Sequence, residues 1–169
     1  GMEEAEGNVM KRKPRNATDG VFAGGMGFDI AFQGVIITLL VLASFFVGVW
    51  FDMGYINIAD MIAGTADEEG VTMAFITLSM VEIFHCFNMR SRRASLFSMK
   101  KQNVWLWGAA VLALILTVVV VEVPFLAEMF GFMELPLDAL ACAVGLAFLI
   151  IPIMEVYKAV MRAVEKNAD

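Results

Sequence analysis

Of 169 residues, 60% are hydrophobic and 18% charged, so the apolar side chains must face lipid as well as one another. The chain therefore reads as an integral membrane protein with room for one bundle and none for a separate catalytic domain of ordinary size. Its net charge of −6 does not describe a uniformly acidic surface, because the two signs are segregated along the sequence, and nucleic acid is not an expected partner.

Residues 1–29 read as a basic cytoplasmic loop, with Lys11, Arg12, Lys13 and Arg15 around Pro14 and a run of glycines beyond Asp19. No apolar run of the kind a secretory signal needs occurs in the first 28 residues, so insertion is expected to rely on the spans. Gly1 is not a translational start, which leaves either a tag remnant before Met2 or a cut from a longer chain.

The first expected span is Ile30 to Phe51, interrupted only by Gln33, Thr38, Ser44 and two glycines, Gly34 and Gly48, that suit close helix contact. Asp52 to Gly70 follows with five acids and no Lys or Arg, and 56–63 is expected to form a short interfacial turn. A second span covers 71–89. After it, Arg90, Arg92, Arg93, Lys100 and Lys101 crowd a short loop. Val104 to Val121 is the third span. The next loop carries Glu122, Pro124, Glu128, Glu134, Pro136 and Asp138, again without a cation. Leu137 to Tyr157 is the fourth span, which Pro152 should kink at its inner end. The tail brings Lys158, Arg162 and Lys166, with Glu155 and Lys158 expected to form an ion pair on the helix surface. Cys86 and Cys142 lie within apolar segments and are expected to be reduced.

Lys and Arg fall four, zero, five, zero and three per segment, so all twelve lie on alternate sides of four crossings. The positive-inside rule then puts both termini and the Arg90–Lys101 loop in the cytoplasm and the two acidic loops outside. The expected fold is all-α: residues 30–169 as a bundle of four transmembrane helices with a short cytoplasmic tail.

Within the second span stands Glu82, eleven residues from Val71 and so roughly 16 Å along a helix that needs about 30 Å to cross. On a helical wheel Thr72, Ser79, Glu82, His85 and Cys86 share a face with Phe75 and Met89, while Asn88 sits off it. A carboxylate facing lipid costs at least a few kcal/mol, so this face should meet protein, water or a cation. Glu82 is the candidate metal ligand or proton site; the alternative is a protonated carboxyl hydrogen-bonded to a neighbouring helix. No catalytic or cofactor-binding residue stands out, and one His without a CxxC pattern argues against zinc.

Several short motifs recur in a known order and spacing. Met10-Lys11-Arg12-Lys13-Pro14-Arg15 is similar to an M-x-R-P-P-R loop, with Lys13 in place of the first proline, and Gly20-Val21-Phe22 follows it. Further along come Thr72-Met73-Ala74-Phe75, Phe87-Asn88, Arg90-Ser91, Ser95-Leu96-Phe97, Asn103 with Leu106 and Gly108, Val123-Pro124-Phe125 and Leu135-Pro136-Leu137. Together they resemble the last four membrane helices, seven to ten, of P-type cation-transporting ATPases of the calcium pump branch. The resemblance implies that Glu82, six residues before Asn88, stands where the reticulum type carries a calcium-ligating carboxylate; His85 replaces an amide there.

The family's D-K-T-G phosphorylation loop, its nucleotide-binding domain, the P-E-G-L break of its fourth helix and the ligands of its fifth and sixth helices do not occur in these 169 residues. Calcium takes six to eight oxygens, of which Glu82 could supply two at most. The resemblance thus implies a C-terminal transmembrane module: scaffold helices and one cation ligand, without ATPase activity by itself and without a cofactor of its own. Its implied partners are the N-terminal part of the pump, membrane lipid and the transported cation, calcium. The implied location is the plasma membrane. A second reading is a stand-alone four-helix protein, either a regulatory subunit or a small proton-coupled exporter using Glu82.

Overall fold

The computed structural model describes Thr18, Gly20 and residues 22–57, 68–98 and 103–168, with backbone alone at 166–168. The described residues form α1 (Met26–Met53), α2 (Glu68–Asn88), a 3-10 turn at Leu96–Ser98, α3 (Val104–Glu122), α4 (Pro124–Phe130), α5 (Leu137–Phe148) and α6 (Ile150–Ala168). Helices α1, α2 and α3 and the α5–α6 pair are each long and apolar enough to cross a bilayer, giving the four expected crossings. The expected interfacial turn at 56–63 lies, beyond Asn57, outside the described residues.

Helix α2 occupies the centre. Against it α1 packs closely at one point: a Cβ on Gly48 would lie 2.6 Å from the Cα of Gly70. At Gly34 the same addition meets nothing, so of the two glycines only Gly48 closes a helix contact. One turn from Gly48, the Ser44 hydroxyl donates to the Met73 carbonyl at 3.2 Å. The Thr77 hydroxyl lies 2.6 Å from Ser44 Oγ and 3.2 Å from the Ala143 carbonyl, which ties α1, α2 and α5 together where lipid offers no competing partner. Helix α5 presents Ala139, Ala143 and Ala147, all fully buried, as a ridge of small residues four apart that lets it approach the Met73, Ile76 and Met80 side of α2.

Helix α3 is peripheral. Asn103 caps it by accepting from the Trp105 and Leu106 amides at 3.0 and 3.2 Å. Only Ala110, Thr117 and Val121 are buried along its length, and Leu112, Ile115 and Leu116 face outward. The loop that follows is more structured than its charges and prolines suggested. Pro124 opens the two-turn α4 at a position where its missing N–H costs nothing, and Gly131 closes it at φ 68°.

The fourth span divides into two helices at Leu149, three residues before Pro152. Pro152 has no N–H to give the Phe148 carbonyl and its ring crowds that oxygen, so the helix opens one turn upstream of the proline. The Asn88 side-chain amide reaches this break and donates to the Ile150 carbonyl at 3.4 Å.

Lys158 departs from the expected surface ion pair. It is 2% exposed, and its ammonium donates to the Asn88 carbonyl at 2.6 Å and the Ala94 carbonyl at 3.3 Å, capping the C-terminal end of α2. Glu155 instead accepts from the Leu96 amide at 2.6 Å. Backbone groups at and just past a helix end lack intrahelical partners, and here the Asn88 and Ala94 carbonyls and the Leu96 amide take up both side chains.

Candidate functional site

Glu82 lies two-thirds of the way along α2, six residues before its last residue Asn88, because the helix starts at Glu68, and the structure leaves it exposed. It belongs to a stripe with Val71, Leu78 and Cys86, all exposed and spaced seven, four and four residues apart. The wider face read from the helical wheel does not hold together. Thr72 and His85 are buried, at opposite edges of an arc of roughly 140° centred near Glu82, and each edge turns towards a neighbouring element. On one edge the Thr72 hydroxyl accepts from the Met133 amide at 3.1 Å. On the other, His85 Nε2 lies 3.1 Å from Gln33 Oε1 of α1. A polar flank thus borders the stripe without entering it.

Among the described residues no three His, Cys, Asp or Glu side chains converge to hold a metal ion. On the outward face of the central helix Glu82 stands fourteen residues from Glu68, the other exposed carboxylate of α2, so a cation bound there would need oxygens from another element.

The sequence reading missed the most connected carboxylate, Asp29. It was assigned to the last position of the loop, but α1 begins at Met26 and places Asp29 in its first turn, 3% exposed. Tyr157 of α6 donates to one of its oxygens and Arg92 to the other. Arg93 Nη1 lies 3.3 Å from both. Arg93 also pairs through Nε with Glu165 at 2.7 Å, and Arg162 donates to the Arg93 carbonyl. Burial works against the Arg93 charge, but the hydrogen bonds it donates to Glu165 and Asp29, with the negative charge of both, outweigh it and hold its pKa above the ordinary value. A lone acid directly before an apolar run, just after a cluster of glycines, was the available signal.

The sequence model of the family described as "Cation transporting ATPase, C-terminus" matches residues 1–160. This chain belongs to that family. It is 36% identical over 136 residues to a calcium-transporting ATPase of Bacillus cereus, covering 78% of this chain and 15% of that protein. Over 162 residues it is 32% identical to a calcium-transporting ATPase of Listeria monocytogenes, covering 95% of this chain and 17% of that protein. A calcium-transporting ATPase of Bacillus subtilis is 34% identical over 131 residues. The chain thus spans less than a fifth of the length of these relatives. Membership of the family's C-terminal membrane region agrees with the four apolar crossings.

Proposed function

We propose that the chain serves as the C-terminal transmembrane module of a P-type calcium-transporting ATPase. In this reading α1, α5 and α6 hold α2 in place, the Val71, Leu78, Glu82 and Cys86 stripe docks against the remaining membrane helices of the pump, and Glu82 offers a carboxylate to the transported cation. Calcium is the expected cargo, because the similar proteins of B. cereus, L. monocytogenes and B. subtilis are calcium-transporting ATPases. A carboxylate suits a hard cation that prefers oxygen ligands, and the other oxygens would come from the rest of the pump.

The observation that carries the reading is the pairing of a family match over residues 1–160 with an exposed acid in the second half of the central helix. Transport would follow from a difference in cation affinity between two pump conformations, with Glu82 exchanging the ion for a proton. The termini and the arginine-rich loop are cytoplasmic in this arrangement, as the distribution of basic residues requires, and the pump resides in the plasma membrane.

Calcium binding to the intact pump tests the role of Glu82. Glu82→Gln should weaken binding of one ion by roughly tenfold or more, since even removing a residue behind a metal ligand costs ten- to a hundredfold. Unchanged stoichiometry and affinity would remove Glu82 from the site. Labelling that finds Arg90 on the exterior would overturn the orientation.

A further inference from the structure

Towards the C-terminal end of α2, His85 Nδ1 and Asn88 Oδ1 are both buried with no hydrogen-bond partner among the described residues. The two residues are 8% and 1% exposed, so a helix docking on the outside of the bundle would not reach either atom. Their other polar atoms fix which hydrogens they carry. Gln33 Oε1 can only accept, so the imidazole hydrogen is on Nε2 and Nδ1 presents a lone pair. Asn88 Nδ2 donates to the Ile150 carbonyl, which leaves Oδ1 as the unmet acceptor. Buried polar groups are nearly always satisfied, and where the chain supplies no partner an ordered water or an ion does.

Three residues apart on one helix, the two side chains start roughly 5–6 Å from one another at Cβ. Two hydrogen bonds of about 2.8 Å from a single oxygen span up to ~5.6 Å, which matches that separation. Both atoms are acceptors, and a water brings two hydrogens on one uncharged atom. A metal cation would find one ring nitrogen and one amide oxygen, fewer donors than its usual sites provide. It would also face the Lys158 ammonium, which lies 2.6 Å from the Asn88 carbonyl. We propose that one buried water donates to His85 Nδ1 and Asn88 Oδ1 at once. It completes a hydrogen-bonded line from Gln33 of α1, through His85 and Asn88 of α2, to the Ile150 carbonyl of α6 where the fourth span breaks. The last turns of α2 are thereby tied to both neighbours. The proposal stands independently of Glu82 and of the transported ion.

His85 is the sole histidine of the full chain, so its ring nitrogens need no assignment. The full chain, with isotope-labelled histidine and asparagine, is reconstituted in phosphatidylcholine bilayers and studied by magic-angle-spinning NMR. A water proton should correlate with His85 Nδ1 and with one asparagine side-chain carbonyl carbon, and both correlations should vanish after exchange into heavy water. Asn88→Leu, which replaces the amide by an apolar group of similar size, should remove the correlation at Nδ1 while leaving helix content by circular dichroism unchanged. An Nδ1 without a water correlation in the unsubstituted chain, or a water that correlates with Nδ1 and with no asparagine carbon, would overturn the proposal whatever the variant does. So would a water correlation at Nδ1 that survives in a folded Asn88→Leu protein. Where that variant does not fold, the paired correlations of the unsubstituted chain decide alone.

Discussion

Two carboxylates on adjacent helices, Asp29 and Glu82, have opposite surroundings. Asp29 receives Tyr157, Arg92 and Arg93, so both of its oxygens are engaged and the ends of α1 and α6 are tied to the α2–α3 connection. Glu82 lies on the exposed stripe of α2, with Leu78 and Cys86 beside it. A buried charge is tolerable when it is paired and hydrogen-bonded, and Asp29 meets that condition within the chain. Glu82 is exposed on the central helix, and the partner it would need in a bilayer belongs to the proposed pump. The first acid is therefore structural, and the second is the one left for the proposed interface.

Substitutions can break or sharpen that contrast. Asp29→Leu has the largest expected effect, because it leaves Arg92 and the buried Tyr157 phenol without their carboxylate and Arg93 with Glu165 alone; we expect a loss of about 3 kcal/mol in thermal unfolding in detergent, the lower end for breaking a buried ion pair. If Asp29→Leu left the melting temperature unchanged, the network would be decorative. Next comes Gly48→Leu, whose Cβ would meet the Gly70 backbone at 2.6 Å and push α1 from α2. A cost of roughly 1–3 kcal/mol is expected in the same melt, whereas Gly34→Leu, in open space, should change it by less than about 0.5 kcal/mol. Thr77→Val removes the hydroxyl shared by three helices and should cost about 1 kcal/mol. The smallest effect on the chain's own stability should come from Glu82→Gln, within about 0.5 kcal/mol, since no partner in the described residues is lost. A large destabilisation by Glu82→Gln would erase the distinction between the two acids.

Much of the architecture was legible before any coordinates, because a bilayer restricts the options: four apolar runs bounded by alternating basic and acidic segments can only be helices crossing back and forth. Helix ends were less legible. Asp29 lies in α1 because Gly25 and Met26 start the helix before the hydrophobic run does, and hydropathy marks the run, not the first turn. Lys158 was read as a surface residue because its spacing from Glu155 fits an ion pair, but the α2 carbonyl end that it caps is seventy residues away in sequence. Helix α4 was read as loop because a two-turn helix leaves too short a period to detect, although Pro124 and Gly131 are suitable start and stop residues. The candidate site was half legible: composition singled out Glu82, but a wheel without neighbours grouped it with Thr72 and His85, which the packing of α1 and the Met133 segment separates from it.

Sequence alone determined that this protein lives in a membrane, that four of its segments are long and apolar enough to cross it and that the second of them carries Glu82, since burial of apolar area and the sorting of charge are summed along the chain and need no partner. Tertiary structure alone decided which helix is central, that Gly48 rather than Gly34 forms the close contact, and that Asp29 is enclosed while Glu82 faces outward. Those outcomes depend on distances of a few ångströms between residues far apart in sequence, and a one-dimensional pattern does not carry them.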